Sequence, residues 1–307
     1  MFRKAVLLAL VSAVATSAQV LQGWNDTTLA QYLLATQQVG SALFTQGLDQ
    51  FADTDFADAG YPAWVRNRIE QIADHEAAHV ADLTETLGAD APAPCTYTFP
   101  LTDVDSFIDL AQRVTTTASS AGIGTVGFVN GTGLAIYAAS IAASESRHAG
   151  WLTSAVEKRQ PWNSAWETPL APSEVWSLLS TFVSDCPATN PTLPFQLYPA
   201  LTVYPAYPTA DGTVFVSLTL KAAAQQFYLA WLDGLLVQYS PIADGQATVP
   251  EGLTGTAYAV VVSSPEPPSR DNIASGLAIV QFPFDSYASD TDPGDLPKKA
   301  SQVAKDA

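Results

Sequence analysis

The sequence predicts an α + β protein in which a four-helix bundle is followed by a small β-sandwich. Residues 27–156 contain four segments with apolar side chains at three-four spacing, which is typical of amphipathic helices. Two of these segments carry the same pattern, Glu-x-x-His, among their apolar positions. After residue 186, proline becomes frequent and short β-branched or aromatic runs alternate with turn residues, which favours a sandwich. We therefore expect a helical domain over 19–186 and a β domain over 187–285.

The first two helices are predicted at residues 27–51 and 62–88. Side chains at 25–28 can cap the first helix, and Pro62 opens the second. The inward line of the first helix is Ala30, Leu33, Gln37, Gly40, Phe44 and Phe51. That of the second is Val65, Ile69, Ile72, Glu76, His79 and Leu83. A carboxylate among aliphatic side chains is costly unless it is paired or bound to metal.

The third and fourth helices are predicted at residues 101–122 and 134–156, and a short fifth helix at 173–183. Thr115 sits beside the apolar stripe of the third helix. The inward line of the fourth is Leu134, Tyr137, Ile141, Glu145, His148 and Leu152. The second Glu-x-x-His pair thus also occupies core positions.

The C-terminal part is predicted to contain strands at 213–220, 257–263 and 277–284. The apolar run 227–239 has Asp233-Gly234 at its middle, which favours a hairpin over a helix. Residues 286–307 are polar and are predicted to form a disordered tail.

Composition and the N-terminal residues indicate an exported protein. Residues 1–18 have a basic start, a short apolar run and a small-residue cleavage site, the pattern of a secretory signal peptide. The net charge of −17 comes from 30 acidic against 13 basic residues, so nucleic acid and membranes are not expected partners. We expect a secreted protein, extracellular or in the cell wall.

The two cysteines and the two sequons agree with export. The two cysteines, Cys95 and Cys186, are expected to pair in an oxidising compartment, the alternative being two buried thiols. Asn25 and Asn130 each begin an Asn-x-Thr sequon, which permits glycosylation but also suits a plain loop asparagine.

The paired Glu-x-x-His pattern indicates a metal site. Glu76 and His79, like Glu145 and His148, are three residues apart and lie one turn apart on one helix face. Two such helices facing each other bring two carboxylates and two imidazoles to one centre, as in carboxylate-bridged metal sites of helix bundles.

Three stretches, QIADHEAAHVADLTETLGA, SIAASESRHAGWLTSA and WETPLAPSEVWSLLSTFVSDCPATNPTLPF, resemble the secreted ferritin-like domain family. That family includes plant desiccation-related proteins and fungal stress- or development-associated exported proteins. The resemblance covers most of residues 25–285 and implies a bundle, a β-rich C-terminal portion and a stress-related context. It implies no particular reaction.

The resemblance also implies a degenerate metal site. In a full di-iron site each of the other two helices adds one glutamate. Here Gln37 and Thr115 occupy those places, and they are at most additional, neutral members of the site. Glu76 and Glu145 alone suit one divalent ion, iron, manganese or zinc, better than two irons.

Two alternatives remain open. The four charged residues could form a buried network without metal, in a structural or binding protein of the cell wall or extracellular matrix. Four aromatic residues are then candidates either for contact with the wall or carbohydrate or for packing in the sandwich core: Tyr198, Tyr204, Tyr207 and Trp231. His75 to His79 also reads H-E-x-x-H, the zinc peptidase pattern. No other catalytic signature is present, and we assign no catalytic residue and no oligomeric state.

Overall fold

A computed structural model describes residues 23–218 and 226–284. The predicted signal peptide at 1–18 and the predicted tail at 286–307 lie outside the described residues. The predicted α + β class is confirmed, with a helical N-terminal part followed by antiparallel sheets.

Four long helices form the helical part. They are α1 (Asp26–Gln50), α3 (Ala63–Leu87), α4 (Val104–Val126) and α5 (Thr132–Trp151), and a short helix, α2 (Asp53–Asp58), connects the first two. The predicted helices agree with these bounds to within a few residues, and the fourth reaches its predicted end through one π-helical turn, Leu152–Val156. Helix α1 packs against α3 and α4, and α4 packs against α5.

Local signals explain where the helices begin. The Asn25 carboxamide accepts the Thr28 backbone N–H at 2.9 Å at the start of α1. The Asp103 carboxylate accepts the Ser106 N–H at 2.7 Å at the start of α4. Helix α4 approaches α5 closely because Gly122 has no side chain, since an added Cβ would lie 2.9 Å from the Ala138 carbonyl oxygen.

The connection from α3 to α4 runs back along the bundle and meets a later part of the chain. It contains strand β1 (Thr96–Tyr97), which pairs antiparallel with β2 (Val183–Asp185). The sixth helix, α6 (Pro172–Leu179), and a 3-10 turn precede β2. A disulfide joins Cys95 and Cys186 beside this strand pair, so the predicted pairing is confirmed.

The C-terminal part contains two antiparallel sheets. The three-stranded sheet has the order β3 (Thr202–Tyr204), β4 (Thr213–Ser217) and β7 (Gln246–Thr248). In the four-stranded sheet the order is β6 (Leu236–Pro241), β5 (Tyr228–Asp233), β8 (Gly255–Val262) and β9 (Ala278–Phe282). The predicted hairpin at 227–239 is confirmed, because β5 and β6 pair around Gly234.

One apolar core serves both sheets. It includes Val203, Val214 and Val216 from the first sheet and Leu229, Trp231 and Val261 from the second. Alternation of buried and exposed residues along β3, β4 and β7 gives the three-stranded sheet one inner and one outer face. Trp231, a candidate for surface contact in the sequence, is fully buried in this core.

The chain contains two compact units that are interleaved along the sequence. Trp24–Glu157 and Leu179–Pro194 belong to the helical unit, whereas Lys158–Leu178 and the chain from Phe195 onward belong to the β unit. Two consecutive domains meeting at residue 186 were predicted from the sequence. Residues 158–178 instead pack with the sheets, although they come before part of the helical unit in the chain.

Candidate metal centre

Three of the four Glu-x-x-His side chains converge inside the bundle. Glu76 comes from α3, and Glu145 and His148 come from α5. Each of these three offers one ligand atom, and the three atoms lie within 4.8 Å of one another. Glu76 and Glu145 are each 1% exposed, so the carboxylates are withdrawn from solvent.

The histidine ring nitrogen Nδ1 of His148 faces both carboxylates. It lies 3.5 Å from Glu76 Oε1 and 3.7 Å from Glu145 Oε2. These distances are too long for good hydrogen bonds. His148 Nδ1, Glu76 Oε1 and both Glu145 oxygens have no hydrogen-bond partner among the described residues. Buried polar atoms without partners are rare in folded proteins and indicate an ion or water that completes them.

His79 lies beside this triad and has a different partner. Its Nδ1 lies 2.8 Å from Gln37 Oε1 and 3.5 Å from Glu145 Oε1. A carboxamide oxygen only accepts, so Nδ1 carries the proton in this contact. In that tautomer Nδ1 is not a metal ligand, and His79 is not among the three side chains whose ligand atoms cluster. His79 lies beside Glu145 as a neighbour of the triad.

The two remaining positions of the bundle centre supply no charge. Gln37 is buried and is engaged by His79. The Thr115 hydroxyl donates to the Ala111 carbonyl at 2.6 Å within its own helix. A site here has two carboxylates where a full di-iron site has four.

Gly40 gives the Glu76 carboxylate its space. An added Cβ at Gly40 would lie 2.9 Å from Glu76 Oε2, closer than a carbon and an oxygen can approach. The sequence placed Gly40 on the inward line of α1 one turn after Gln37. It gave no sign that this glycine faces the carboxylate of another helix.

The third histidine, His75, contacts the outer edge of His148. Its Nδ1 lies 3.0 Å from His148 Nε2, and the two rings stack with centroids 5.2 Å apart. When His148 uses Nδ1 as a ligand, its Nε2 carries the proton and donates it to His75. Sequence reasoning missed this role, because His75 lies off the inward line of α3.

The H-E-x-x-H pattern does not form a pair of histidine ligands. His75 contacts His148 and His79 contacts Gln37, so the two rings have separate partners. Among residues 23–218 and 226–284, no ligand cluster includes His75.

The charges of the triad are strongly coupled. Burial, and then the negative charge of Glu145, raises the pKa of Glu76 to about 8. Burial alone would lower the pKa of His148, but the Glu145 and Glu76 carboxylates raise it to about 9. Burial alone would raise the pKa of Glu145, but His148 and His79 lower this pKa below its ordinary value. At neutral pH the metal-free triad thus holds a protonated Glu76, an ionised Glu145 and a protonated His148, which is neutral overall.

The donor set fits one divalent ion. Deprotonated Glu76 and Glu145 balance two positive charges, and neutral His148 adds a nitrogen ligand. Binding would release the protons of Glu76 and His148, as expected for ligands that are protonated without metal. The set does not fit two irons, because Gln37 and Thr115 provide no further carboxylate.

The predicted glycosylation residues lie at the surface. Asn25 and Asn130 are both exposed. Asp26, next to Asn25, accepts the backbone N–H groups of Asn130 and Gly131 at 2.9 and 2.8 Å. Both sequons therefore lie near each other at one end of the bundle. Glycosylation itself stays a prediction.

Comparisons with known proteins agree with this geometry. Residues 25–158 match the ferritin-like domain family. The chain is also similar to Protein rds1 of Schizosaccharomyces pombe, with 33% identity over 159 residues. The similarity covers 52% of this chain and 39% of that protein, so the chain spans about two-fifths of its relative. The helical part of the chain is therefore similar in sequence to ferritin-like domains.

Proposed function

We propose that the ferritin-like domain binds a single divalent metal ion, iron, manganese or zinc, through Glu76, Glu145 and His148. One observation carries this proposal: four ligand atoms of these side chains are buried and have no hydrogen-bond partner among the described residues. A bound ion would give these atoms a partner and would link α3 to α5. It would also remove the need to keep Glu76 protonated.

His79, Gln37 and His75 support the triad from outside. His79 lies 3.5 Å from Glu145 and is itself hydrogen-bonded to Gln37. When His148 binds an ion through Nδ1, His75 accepts from its far nitrogen, Nε2. Partners of this kind orient ligands and set their protonation.

A second candidate function is a scaffold without metal. The same three side chains are electrically neutral together when Glu76 and His148 are protonated, and His148 lies between both carboxylates. A buried charged network is tolerated when it is neutral and mutually paired. The metal and scaffold functions differ in one measurable property, which is binding of metal at equilibrium.

Export and a stress- or surface-associated role are part of the proposal. The disulfide supports an oxidising compartment, since disulfides persist mainly in exported proteins. Within residues 23–218 and 226–284, no helix is long and apolar enough to cross a membrane.

The test is a titration of metal-free protein with Mn²⁺, Fe²⁺ and Zn²⁺ by isothermal calorimetry. We expect one equivalent to bind wild type, and Glu145→Gln to weaken binding by roughly 100-fold or more, since even supporting partners are worth 10–100-fold. Glu85→Gln is the matched control, because Glu85 is exposed on α3. Binding that is equal in Glu145→Gln and wild type would refute the site, and absence of binding would favour the scaffold.

A further inference from the structure

The outer face of the three-stranded sheet has an ordered pattern of side chains. Cross-strand pairing places Tyr204 beside Phe215 and Phe215 beside Gln246. On one side of this row Thr202 pairs with Ser217, and on the other Thr213 pairs with Thr248. All seven side chains are exposed, because their neighbours Val203, Val214, Val216 and Ala247 fill the core.

The two aromatic residues on this face are largely exposed. Tyr204 is 51% exposed and Phe215 is 54% exposed. They lie on adjacent strands about 4.8 Å apart, so both rings belong to one surface. Large aromatic side chains are normally buried, and an exposed pair held in register on one sheet face indicates a contact surface.

The remaining side chains of the face are polar and uncharged, and their hydrogen-bonding groups are available to a ligand. None of Thr202, Thr213, Ser217, Gln246 and Thr248 makes a side-chain hydrogen bond within the described parts of the chain. They offer hydroxyl and carboxamide groups, which both donate and accept. No charged residue occurs among the seven, although the whole chain has a net charge of −17. A partner recognised by ion pairs does not fit this face.

We propose that this face binds a neutral polysaccharide chain. The C–H face of a pyranose ring packs on an aromatic ring, and its hydroxyls pair with neutral side chains that donate and accept. The strand spacing is comparable to the length of one sugar unit, so Tyr204 and Phe215 match successive sugars. The proposal does not depend on the metal site, which lies in the other compact unit.

The experiment is calorimetric titration of the full chain with laminarihexaose, cellohexaose and chitohexaose. Wild type is expected to bind at least one of them, with affinity unchanged after metal removal. The double variant Tyr204→Ala, Phe215→Ala should lose roughly tenfold or more, as for central aromatic contacts. Phe215→Tyr should retain binding, because it keeps the ring.

Trp162→Ala is the matched control, since Trp162 is 62% exposed in the same compact unit but lies outside this sheet. It should bind as wild type does, and thermal unfolding of each variant checks its fold. The proposal is overturned if none of the three hexaoses binds wild type, or if the folded double variant binds equally well. A loss with Trp162→Ala as large as that of the double variant would also overturn it.

Discussion

At the scale of single residues, the metal centre depends on hydrogen bonds made by the outer atoms of its ligands. His148 presents Nδ1 to the carboxylates and Nε2 to His75. Because one imidazole carries both contacts, the partner of Nε2 decides whether Nδ1 is free for a metal. As an acceptor for Nε2–H, His75 would favour the neutral tautomer of His148 that leaves Nδ1 free.

Replacing His75 by phenylalanine tests this role. His75→Phe keeps a flat ring but removes the acceptor, so we expect metal affinity to fall about tenfold with stoichiometry unchanged. Nitrogen-15 NMR of the metal-free protein above pH 9, where His148 is neutral, should show a shift from one tautomer to a mixture. His75→Gln, whose carboxamide oxygen can accept, should recover part of the loss. An unchanged affinity and tautomer in His75→Phe would contradict the assignment.

Glu174 in the β unit gives a separate prediction for pH. It is 7% exposed and accepts the Ala171 N–H at 3.1 Å, and burial raises its pKa to about 7. The ordinary pKa of a glutamate side chain is 4.5, so between these values the folded state binds more protons than the unfolded state. The contribution of Glu174 to stability is therefore full at low pH and is lost as pH rises towards 7.

Glu174→Gln should remove this dependence. The loss in wild type is about 1.4 kcal/mol for each pH unit in that range. Urea unfolding at pH 5 and pH 8 measures it. We expect a smaller difference between the two pH values in the variant than in wild type, and an identical difference would argue against a buried, protonated Glu174.

At the scale of elements, a row of glutamines on α1 fixes the path from α3 to α4. Each of these side-chain amides donates to a backbone carbonyl oxygen of that connection. The pairs are Gln31 with Asp90, Gln38 with Pro92, Gln46 with Tyr97, and Gln50 with Leu101. The row lies away from Gln37, which faces the metal centre. Helix α1 therefore supplies hydrogen bonds to the extended connection on one side and faces the metal centre on another.

Gln38→Ala should destabilise the helical unit more than Gln50→Ala. The bond from Gln38 to Pro92 is buried and 3.0 Å long, so its removal leaves a buried carbonyl without a partner, at a cost of about 1–3 kcal/mol. The bond from Gln50 to Leu101 is exposed, and water replaces it. Chemical denaturation of both variants gives the comparison, and equal losses would be evidence against the proposed role of the row.

Element boundaries and inward faces were largely predictable, because apolar spacing and caps are local signals. Glu76, Glu145 and His148 were found because Glu-x-x-His places its two side chains on one face. The contact of Gly40 with Glu76 and that of His75 with His148 were not predictable. Both depend on the rotation of one helix against another, which no short spacing encodes.

At the scale of the whole molecule, the chain leaves the helical unit and returns to it. Composition suggested one boundary near Pro187, yet residues 158–178 join the sheets. Asn163 accepts the Thr256 N–H at 2.9 Å, and Thr168 accepts the Gly234 N–H at 2.8 Å. These long-range bonds have no periodic signal in the sequence.

The disulfide secures the returning segment. Cys95 and Cys186 are 91 residues apart and both lie in the helical unit. Replacing both by serine should lower its stability by about 2–4 kcal/mol. A reductant should bring wild type to the level of the variant and leave the variant unchanged. Equal unfolding midpoints for oxidised wild type and the variant would contradict a structural role.

The metal content of the untagged protein, purified without chelator and measured by elemental mass spectrometry, decides whether the bundle binds an ion. We predict close to one equivalent of iron, manganese or zinc, lost in Glu145→Gln and retained in Glu85→Gln. Two equivalents would contradict the conclusion that Gln37 and Thr115 leave room for only one ion. No metal, even after incubation with each ion, would contradict the metal function and leave Glu76, Glu145 and His148 as a buried protonated network.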